Sequence, residues 1–313
     1  MSKSFNGVIN IFKEKGYTSF DAVAIVRKTL SNICGYKVKV GHTGTLDPNA
    51  EGVLPICIGR GTKFVDEIMN YDKVYKAELF LGFETDTLDV TGEKKFESKK
   101  MLSKEDITNC ILSFVGTYAQ KPPMYSAIKV NGQKMYDLAR QGKEVDLKSR
   151  TVTINNIEIL EVDEVLNKAT FIVYCKKGTY IRSLCRDIGI KLGTYGTMGN
   201  LLRIATSSFN IENSVKVDEI RECKTFEDVE KYMINIENLL NTYEKVTISN
   251  SAIKFIQNGN KLNVKFSKDK KNYEDNTFYK LFTFDKDGNE RFLGVYTYID
   301  EFFVPNILYD IEV

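Results

Sequence analysis

The sequence predicts a mixed α+β fold, with an antiparallel-rich sheet in a main domain and a small β-rich domain at the C-terminus. Over residues 1–243, strand-like apolar runs and helical periodicities alternate, without the regular repeat that a parallel strand–helix–strand sheet requires. After residue 243 the chain consists of short strand-like runs separated by turns. We therefore predict a main domain over 1–243, with an insertion at about 121–150, and a second domain over 244–313.

Apolar spacing and helix-start signals predict the individual elements. GVINI (7–11) is an apolar run that predicts a strand. FDAVAIVRKTL (20–30) has apolar residues at helical spacing, and Thr18 followed by Asp21 is typical of a helix start. The other predicted elements of the main domain are strands at 53–59, 74–82, 150–162 and 168–178, a turn at 85–93, and helices at 103–116, 179–193 and 226–242. In the C-terminal domain, VTISN, KLNVKF, FYKLFTF and RFLGVYTY predict short strands.

Composition indicates a globular protein and limits its partners. Hydrophobic residues make up 42% and charged residues 27% of the 313-residue chain, which is typical of folded domains. The formal net charge of +2 excludes a strongly basic protein that coats nucleic acid, although it allows a local basic groove. The sequence has neither an apolar run long enough for a membrane helix nor a signal-peptide pattern at MSKSFNGVIN. We therefore expect a cytoplasmic location and no membrane partner.

The cysteine and histidine content argues against a metal site. The six cysteines form no CxxC pair, and His42 is the only histidine of the chain. Structural zinc sites need four ligands of these types at characteristic spacings. We therefore expect free and mostly buried thiols, and neither a metal nor another cofactor.

The stretch GHTGTLDPNAEGVLP (41–55) places this histidine close to an aspartate on a loop rich in glycine and proline. Gly44 permits backbone shapes with positive φ or close approach by another molecule, and Pro48 restricts the conformation of Asp47. The stretch lacks the GxxxxGK[ST] pattern of a phosphate-binding loop. From the residues alone, Asp47 can be a catalytic carboxylate or a turn residue, and His42 can be functional or structural.

The segment 121–150 is basic, with seven Lys and Arg against three Asp and Glu. A run of charge is usually a solvated face. Here proline, tyrosine and glycine residues are interleaved with the charges, a composition that fits a flexible flap closing on RNA.

Four stretches resemble, in the same order along the chain, the TruB-type tRNA pseudouridine synthases. GHTGTLDPNAEGVLPICIGRGTKF (41–64) is similar to the catalytic motif of that family, and DKVYKAELFLGFETDTLDVTG (72–92) to its second block. KPPMYSAIKVNGQKMYDLARQG (121–142) resembles the RNA-contacting insertion, and KKGTYIRSLCRDIGIKLG (176–193) the arginine-bearing motif. The resemblance covers 7–210, and GTLDP together with KGTYIR makes it highly specific.

Two segments depart from the family pattern. The family usually has Asp-Lys-Pro before Gly16, where this chain has Phe12, Lys13 and Glu14. Near the end of the core the family often has Leu-Arg-Arg, where this chain has Leu-Leu-Arg at 201–203. Neither departure touches the catalytic acid, but the second predicts a weakening of one RNA contact.

The resemblance implies an isomerase that converts uridine to pseudouridine at position 55, in the TΨC loop of tRNA. The N1–C1′ bond breaks, the base turns over and C5 joins C1′, without redox change, so a carboxylate suffices and no cofactor is needed. The resemblance makes Asp47 the nucleophile or base and leaves open whether it attacks the sugar, attacks uracil or removes a C2′ proton. It also implies a core of pseudouridine-synthase type and, from composition and strand pattern alone, a PUA-like RNA-binding C-terminal domain.

The resemblance also implies roles for other residues. Arg182 is expected to keep Asp47 ionised, and Tyr75 to hold the detached uracil flat and to move a proton. His42 is expected to fill the space that the flipped base leaves. The implied substrate-binding residues are His42, Lys63, Tyr180 and Leu201, and the implied RNA-binding residues are Lys129, Lys134, Arg140 and Lys143.

The implied partner is the T-arm stem-loop of tRNA, bound by a monomer that needs no guide RNA and no protein partner. Such a protein is also expected to bind tRNA and help it fold. Two alternatives compete with this interpretation: a non-catalytic RNA-folding helper, and a guide-RNA-dependent relative within a ribonucleoprotein. Intact Asp47, Tyr75 and Arg182 argue against the first, and the insertion at 121–150 argues against the second.

Overall fold

The structure is a computed structural model that describes residues 4–126, 129–130, 133–135, 147–269 and 271–310. For 129–130 and 133–134 it describes the backbone alone. Among the described residues, no helix is long and apolar enough to span a membrane.

Strands make up most of the regular secondary structure among the described residues. The strands are β1 (Gly7–Lys13), β2 (Val40–His42), β3 (Glu51–Ile58), β4 (Lys73–Leu81), β5 (Phe83–Thr85), β6 (Lys94–Glu97), β7 (Gly116–Gln120), β8 (Lys129–Val130), β9 (Gln133–Lys134), β10 (Arg150–Asp163), β11 (Lys168–Cys175), β12 (Gly196–Thr206), β13 (Phe209–Asn210), β14 (Val215–Lys216), β15 (Glu244–Thr247), β16 (Leu262–Asn263), β17 (Thr277–Phe284), β18 (Glu290–Ile299) and β19 (Phe302–Leu308). The α-helices are α1 (Ser19–Cys34), α2 (Val65–Met69), α3 (Lys104–Leu112), α4 (Ile181–Lys191), α5 (Val217–Glu222), α6 (Phe226–Glu230) and α7 (Ile253–Gln257).

One large sheet carries the main domain. Its strand order is β14–β1–β3–β12–β4–β11–β10–β7, with β2 added to β3 and β13 added to β12. The pairs β1–β14 and β3–β12 are parallel, whereas β1–β3, β4–β12, β4–β11, β10–β11 and β7–β10 are antiparallel. The predicted mixed, antiparallel-rich sheet is therefore confirmed.

The predicted helix start at Thr18 is confirmed as a capping box. The Thr18 hydroxyl accepts from the Asp21 N–H (3.0 Å), while the Asp21 carboxylate accepts from the Thr18 N–H (2.8 Å). These bonds satisfy main-chain donors that the first turn of α1 leaves without partners. The helix buries an apolar face against the sheet and ends at Gly35, whose φ of 72° is left-handed.

The prediction of a long helix over 226–242 is wrong. Only Phe226–Glu230 is α-helical, and a 3₁₀ turn covers Ile236–Leu239. Between them, Ile234 pairs with Val8 through two main-chain bonds, Val8 N–H to Ile234 carbonyl (2.9 Å) and the reverse (2.8 Å). This long-range pairing with β1 outweighs the local helical periodicity.

The sequence did not predict β12, although this strand lies in the middle of the sheet between β3 and β4. Its pairing with β4 shifts register twice, between Met198 and Leu201 and between Arg203 and Ala205. These irregularities break the alternation of apolar and polar residues by which a strand is normally found.

A second sheet forms the C-terminal part, in the order β15–β17–β18–β19–β16. Its first strand begins at Glu244, next to the predicted boundary. Phe282 and Phe292 of this sheet pack in one buried cluster with Val53, Cys57 and Phe64 of the main domain. The two parts therefore share this cluster, while a second buried cluster belongs to the C-terminal part alone.

The cysteines are free, as predicted. Five are buried and Cys34 is partly exposed. Burial raises the pKa of Cys57 and of Cys175 to about 12, which keeps both thiols protonated at neutral pH.

Candidate active site

The loop between β2 and β3 is held from several sides and carries Asp47. Its Leu46 N–H donates to the Ser19 hydroxyl (2.8 Å), and that hydroxyl donates to the Leu46 carbonyl (3.0 Å). On the far side of Asp47, the Pro48 carbonyl accepts from the Gly16 N–H (2.9 Å). The loop is thereby tied to α1 and to the segment before it, which fixes the direction of the Asp47 side chain.

Arg182 binds the Asp47 carboxylate through two of its guanidinium nitrogens. Its Nε lies 3.0 Å from Asp47 Oδ2, and its Nη2 donates to Asp47 Oδ1 at 3.1 Å. Such a two-bond fork fixes a carboxylate in orientation as well as in position. The two residues are 135 positions apart in the sequence, so it is the fold that brings them together.

Other acceptors fix the guanidinium of Arg182, which is only 7% exposed. The Thr87 carbonyl accepts from Nη1 (3.2 Å), and the Tyr125 carbonyl accepts from Nη2 (2.8 Å). Asp89 lies near the opposite edge, with Oδ2 4.0 Å from Nη1. The predicted pairing of Asp47 with a nearby cation is thus present in the structure.

Burial dominates the titration of Asp47. Desolvation raises the pKa of its carboxyl above the ordinary aspartate value, the negative charge of Asp89 raises it further, and the charges of Arg182 and Lys13 oppose the rise. The side chain is nevertheless 37% exposed, because it faces an open cavity. The arrangement suits a carboxylate that reacts with a bound group.

The cavity in front of Asp47 has a volume of about 590 Å³ and is lined by Tyr75, Tyr180, Arg182 and Leu201. This volume is in the range of pockets that hold small organic groups. All four residues were predicted from the sequence to belong to the site, and the structure places them around the same cavity as Asp47. The lining also includes four basic residues, of which Lys73 is buried and Arg150, Lys176 and Lys177 are exposed.

Tyr75 lies on β4, opposite Arg203 of β12 and Val173 of β11. Burial raises the pKa of the Tyr75 hydroxyl, which therefore stays protonated at neutral pH, while the charge of Arg203 opposes the rise. A neutral phenol can present an aromatic face and donate or relay a proton at the same time.

Two buried cations support the site, and sequence reasoning gave neither a role. Arg203, 2% exposed, donates from Nε to the Val53 carbonyl (2.6 Å) and from Nη2 to the Gly44 carbonyl (3.1 Å). Lys13 is fully buried and donates to the carbonyls of Tyr17 (2.8 Å) and Glu14 (3.0 Å). Burial lowers the pKa of Lys13 to about 8. The sequence did contain a signal for these two residues, since both lie in segments that were compared with the family pattern.

His42 lies at the end of β2, beside the loop rather than among the residues that line the cavity. Its Nδ1 accepts from the Gly44 N–H (3.2 Å), and its ring meets Phe20 edge-on at a centroid distance of 5.7 Å. Burial lowers the pKa of His42, so the ring is neutral at physiological pH. Phe20 is 65% exposed, and the pair forms an aromatic surface next to the loop.

Lys63 is not part of this cavity, which corrects the prediction that it lies near the catalytic acid. It belongs to the 3₁₀ turn Gly59–Phe64, at the opposite end of β3 from Asp47. Its Nζ donates to the Leu308 carbonyl (2.6 Å) of the C-terminal sheet. There it lines a separate cleft together with Arg60 and Asp310.

The predicted RNA-binding residues lie in the insertion. Lys129 and Lys134 face each other in the hairpin of β8 and β9, of which the backbone is described. Arg140 and Lys143 lie outside the described residues. In the described part of the chain, no group of three or more His, Cys, Asp or Glu side chains is arranged to bind a metal ion.

Two family profiles match the chain. The profile described as "TruB family pseudouridylate synthase (N terminal domain)" matches residues 31–181, and the profile described as "tRNA pseudouridylate synthase B C-terminal domain" matches 182–246. The chain belongs to the TruB family of pseudouridylate synthases. It is therefore an isomerase, as the resemblance implied.

Proteins of known name extend this similarity over most of the chain. The TruB-family chain is 46% identical to tRNA pseudouridine synthase B of Clostridium perfringens over 280 residues, which covers 87% of this chain and 92% of that protein. It is 48% identical to tRNA pseudouridine synthase B of Clostridium tetani over 267 residues, covering 85% and 88%.

Solved structures share the fold. A chain of an H/ACA RNP bound to a substrate RNA containing 2′-deoxyuridine matches with a TM-score of 0.69 at 23% identity, over 97% of this chain and 85% of that one. A chain of a Cbf5-Nop10-Gar1 complex matches with a TM-score of 0.67 at 26% identity, over 98% and 84%. The predicted fold, a core of pseudouridine-synthase type followed by a β-rich C-terminal part, is confirmed.

Proposed function

We propose that this TruB-family enzyme isomerises uridine to pseudouridine at position 55, in the TΨC loop of tRNA, with Asp47 as the nucleophile or base. The observation that carries the proposal is the two-bond grip of Arg182 on Asp47, facing a cavity lined by Tyr75. Because the reaction only moves a bond from N1 to C5, one oriented carboxylate suffices for it.

We infer a role in the reaction for each residue of the cavity. The charge of Arg182 counteracts the desolvation of Asp47 and so favours its reactive, ionised form. Once the N1–C1′ bond has broken, the face of Tyr75 supports the free uracil while it turns, because stacking tolerates rotation in the ring plane. C5 then joins C1′, the C5 proton is lost and N1 gains a proton. Tyr180 and Leu201 close the sides of the cavity.

A uridine within a folded loop can reach Asp47 only after it has left its stack, at a cost of a few kcal/mol. The His42–Phe20 pair lies next to the catalytic loop. Its aromatic surface is suited to fill the space that the flipped base leaves, or to stack on a displaced base. Of the basic residues that line the cavity, Arg150, Lys176 and Lys177 are exposed and suit the phosphates on either side of the flipped nucleotide. Lys129, Lys134, Arg140 and Lys143 of the insertion add further phosphate contacts.

The names of similar proteins support a tRNA substrate. Relatives that are 46–48% identical are named for tRNA, whereas the H/ACA RNP and the Cbf5-Nop10-Gar1 complex contain chains at 23–26% identity. We therefore favour a monomer that acts on tRNA in the cytoplasm without a guide RNA or a protein partner, and that helps the tRNA to fold.

Tritium release from a T-arm stem-loop made with 5-³H-uridine tests this proposal, because bonding at C5 expels the C5 hydrogen. The purified enzyme, freed of nucleic acid, should release the tritium of one uridine per stem-loop. Replacing the uridine at position 55 by cytidine should abolish the release, and replacing the neighbouring loop uridine should not. Release that survives the change at position 55, or that requires added RNA or protein, would contradict the proposal.

A further inference from the structure

Gln120, the last residue of β7, holds both main-chain groups of the residue that precedes helix α4. Its Oε1 accepts from the Tyr180 N–H (2.8 Å), and its Nε2 donates to the Tyr180 carbonyl (3.1 Å). The side chain is only 1% exposed. Two bonds to one residue fix the orientation of that residue as well as its position, and buried bonds of this kind are costly to lose.

Tyr180 is a position where the helix needs outside support. It is the N-cap of α4 and forms no side-chain capping bond, while its carbonyl accepts the first helical bond from the Leu184 N–H (3.0 Å). Helix starts are normally fixed by a Ser, Thr, Asp or Asn at this position. In this chain Gln120 of the neighbouring strand β7 supports the helix start instead, through its bonds to Tyr180, which is two residues before Arg182.

The Gln120 amide is itself oriented. Its Nε2 also donates to the Tyr118 hydroxyl (2.6 Å) on the same strand. Both amide hydrogens and the amide oxygen of Gln120 therefore have partners, which fixes the plane of the amide.

The chain beyond Gln120 is bound by side chains of the same helix. The Lys121 carbonyl accepts from the Ser183 hydroxyl (2.8 Å) and from Arg186 Nη2 (2.9 Å). The Tyr125 carbonyl accepts from Arg182 Nη2, the nitrogen that also donates to Asp47. The base of the insertion and the Asp47 carboxylate therefore share one guanidinium nitrogen.

We propose that Gln120 is a positioning residue that sets the first turn of α4 so that Arg182 meets Asp47 with both nitrogens, and that ties this geometry to the base of the RNA-binding insertion. Gln120 does not line the cavity, so it acts through Tyr180 and Arg182 rather than on the substrate. The proposal rests on the roles proposed above for Asp47 and Arg182. A residue of this kind affects the turnover of bound RNA and leaves RNA affinity unchanged.

The test compares Gln120→Leu and Gln120→Glu with wild type in single-turnover tritium release at saturating enzyme. Leucine removes both bonds to Tyr180, whereas glutamate keeps the size and, when ionised, loses only the donors. Each variant should react about 10- to 100-fold more slowly, since a displacement of about 1 Å at a reacting group costs that much. The dissociation constant for the stem-loop should stay within about twofold of the wild-type value, since the phosphate contacts that set affinity are unchanged.

Thr283→Val is the matched control. Thr283 is fully buried in the C-terminal sheet, and its hydroxyl is hydrogen-bonded to the Asn250 side chain (2.7 Å). The control loses a buried polar contact far from Arg182, and its single-turnover rate should equal that of wild type. Thermal unfolding of each variant is recorded at the assay pH.

Gln120 variants that react as fast as Thr283→Val would overturn the proposal, as would variants that lose affinity but turn over bound RNA normally. If both Gln120 variants are unfolded at the assay temperature, Gln120 serves stability alone and the proposal is wrong. A wild-type enzyme that releases no tritium would instead count against the proposed function, so the two failures are distinguishable.

Discussion

At the scale of single residues, the central problem is to keep one carboxylate reactive inside a partly closed cavity. Burial and the charge of Asp89 raise the pKa of Asp47, and Arg182 works in the opposite direction. The positions of these charges therefore determine the pH at which Asp47 loses its proton. Because Arg182 lies between the two carboxylates, it also limits their mutual repulsion.

The raised pKa of Asp47 predicts an acid limb in the pH dependence of turnover. The rate should fall as the pH drops through this pKa, which lies above that of an ordinary aspartate, because protonated Asp47 is neither nucleophile nor base. Asp89→Asn removes a like charge, so it should move the limb to lower pH, whatever its effect on the maximal rate. Single-turnover rates measured from about pH 4 to about pH 8 would check this, since this range begins near the ordinary pKa of a carboxyl group. A limb that stays in place or moves to higher pH would contradict it.

At the scale of elements, the catalytic loop depends on β12, a strand that lies behind it. Arg203 of this strand donates to the Gly44 carbonyl in the loop and to the Val53 carbonyl in β3, and it lies opposite Tyr75 of β4 in the sheet. Gly52 accommodates the close approach, since a Cβ there would lie 2.2 Å from the Arg203 carbonyl oxygen. The loop and β3 are thus joined to β12 through a single buried side chain.

Arg203→Met should loosen this junction. It leaves two buried carbonyls without their charged donor, so the free energy of unfolding should fall by about 3 kcal/mol, and turnover should fall with it. Arg221→Met is the matched control, because Arg221 is exposed and pairs with Asp218 and Tyr17 on the surface. It should lower the free energy of unfolding much less than Arg203→Met does, since exposed ion pairs contribute little. Urea denaturation measures both variants, and equal stabilities would contradict the role given to Arg203.

At the scale of the whole molecule, the C-terminal sheet has a buried core of its own and also shares a buried cluster with the main domain. Phe292 of β18 contacts Phe282 of the same sheet at 5.2 Å and Phe64 of the main domain at 6.1 Å between ring centroids. Nearby, Asp310 is buried and pairs with Arg60 of the main domain. The Phe64–Phe292 contact and the Arg60–Asp310 pair cross the boundary that the sequence predicts near residue 243.

The shared buried cluster predicts that the protein unfolds in a single transition. Phe292→Ala should lower the free energy of unfolding by about 3–5 kcal/mol and shift the whole transition. Phe255→Ala, which truncates a 45%-exposed phenylalanine of the same sheet region, should have a much smaller effect. Calorimetry and circular dichroism would check this. Two separate transitions, of which Phe292→Ala shifts only one, would contradict it.

Local signals in the sequence predicted local structure well. The Thr18–Asp21 pair and the apolar runs of β1, β4 and β11 are short-range patterns, and the structure has the elements they predict. The failures involve distant partners. The 226–242 helix gives way to the pairing of Ile234 with Val8, and the irregular strand β12 lacks a clear pattern.

The candidate site shows the same division between pattern and distance. Glycine and proline spacing indicated that the loop around Asp47 was unusual, but only the family resemblance joined it to Arg182, 135 residues away. The resemblance could not tell that Lys63 faces the C-terminal sheet or that Arg203 lies beneath the loop, because both positions depend on strands that meet across the fold.

The most direct test of the central claim is single-turnover tritium release by Asp47→Asn, with the T-arm stem-loop at saturating enzyme. The matched control is Asp66→Asn, since Asp66 is exposed on α2 and its loss changes the net charge equally. We predict that Asp47→Asn binds the RNA as tightly as the control and releases no tritium, while the control reacts at the wild-type rate. Release by Asp47→Asn at a rate near that of the control would show that the reaction does not depend on this carboxylate.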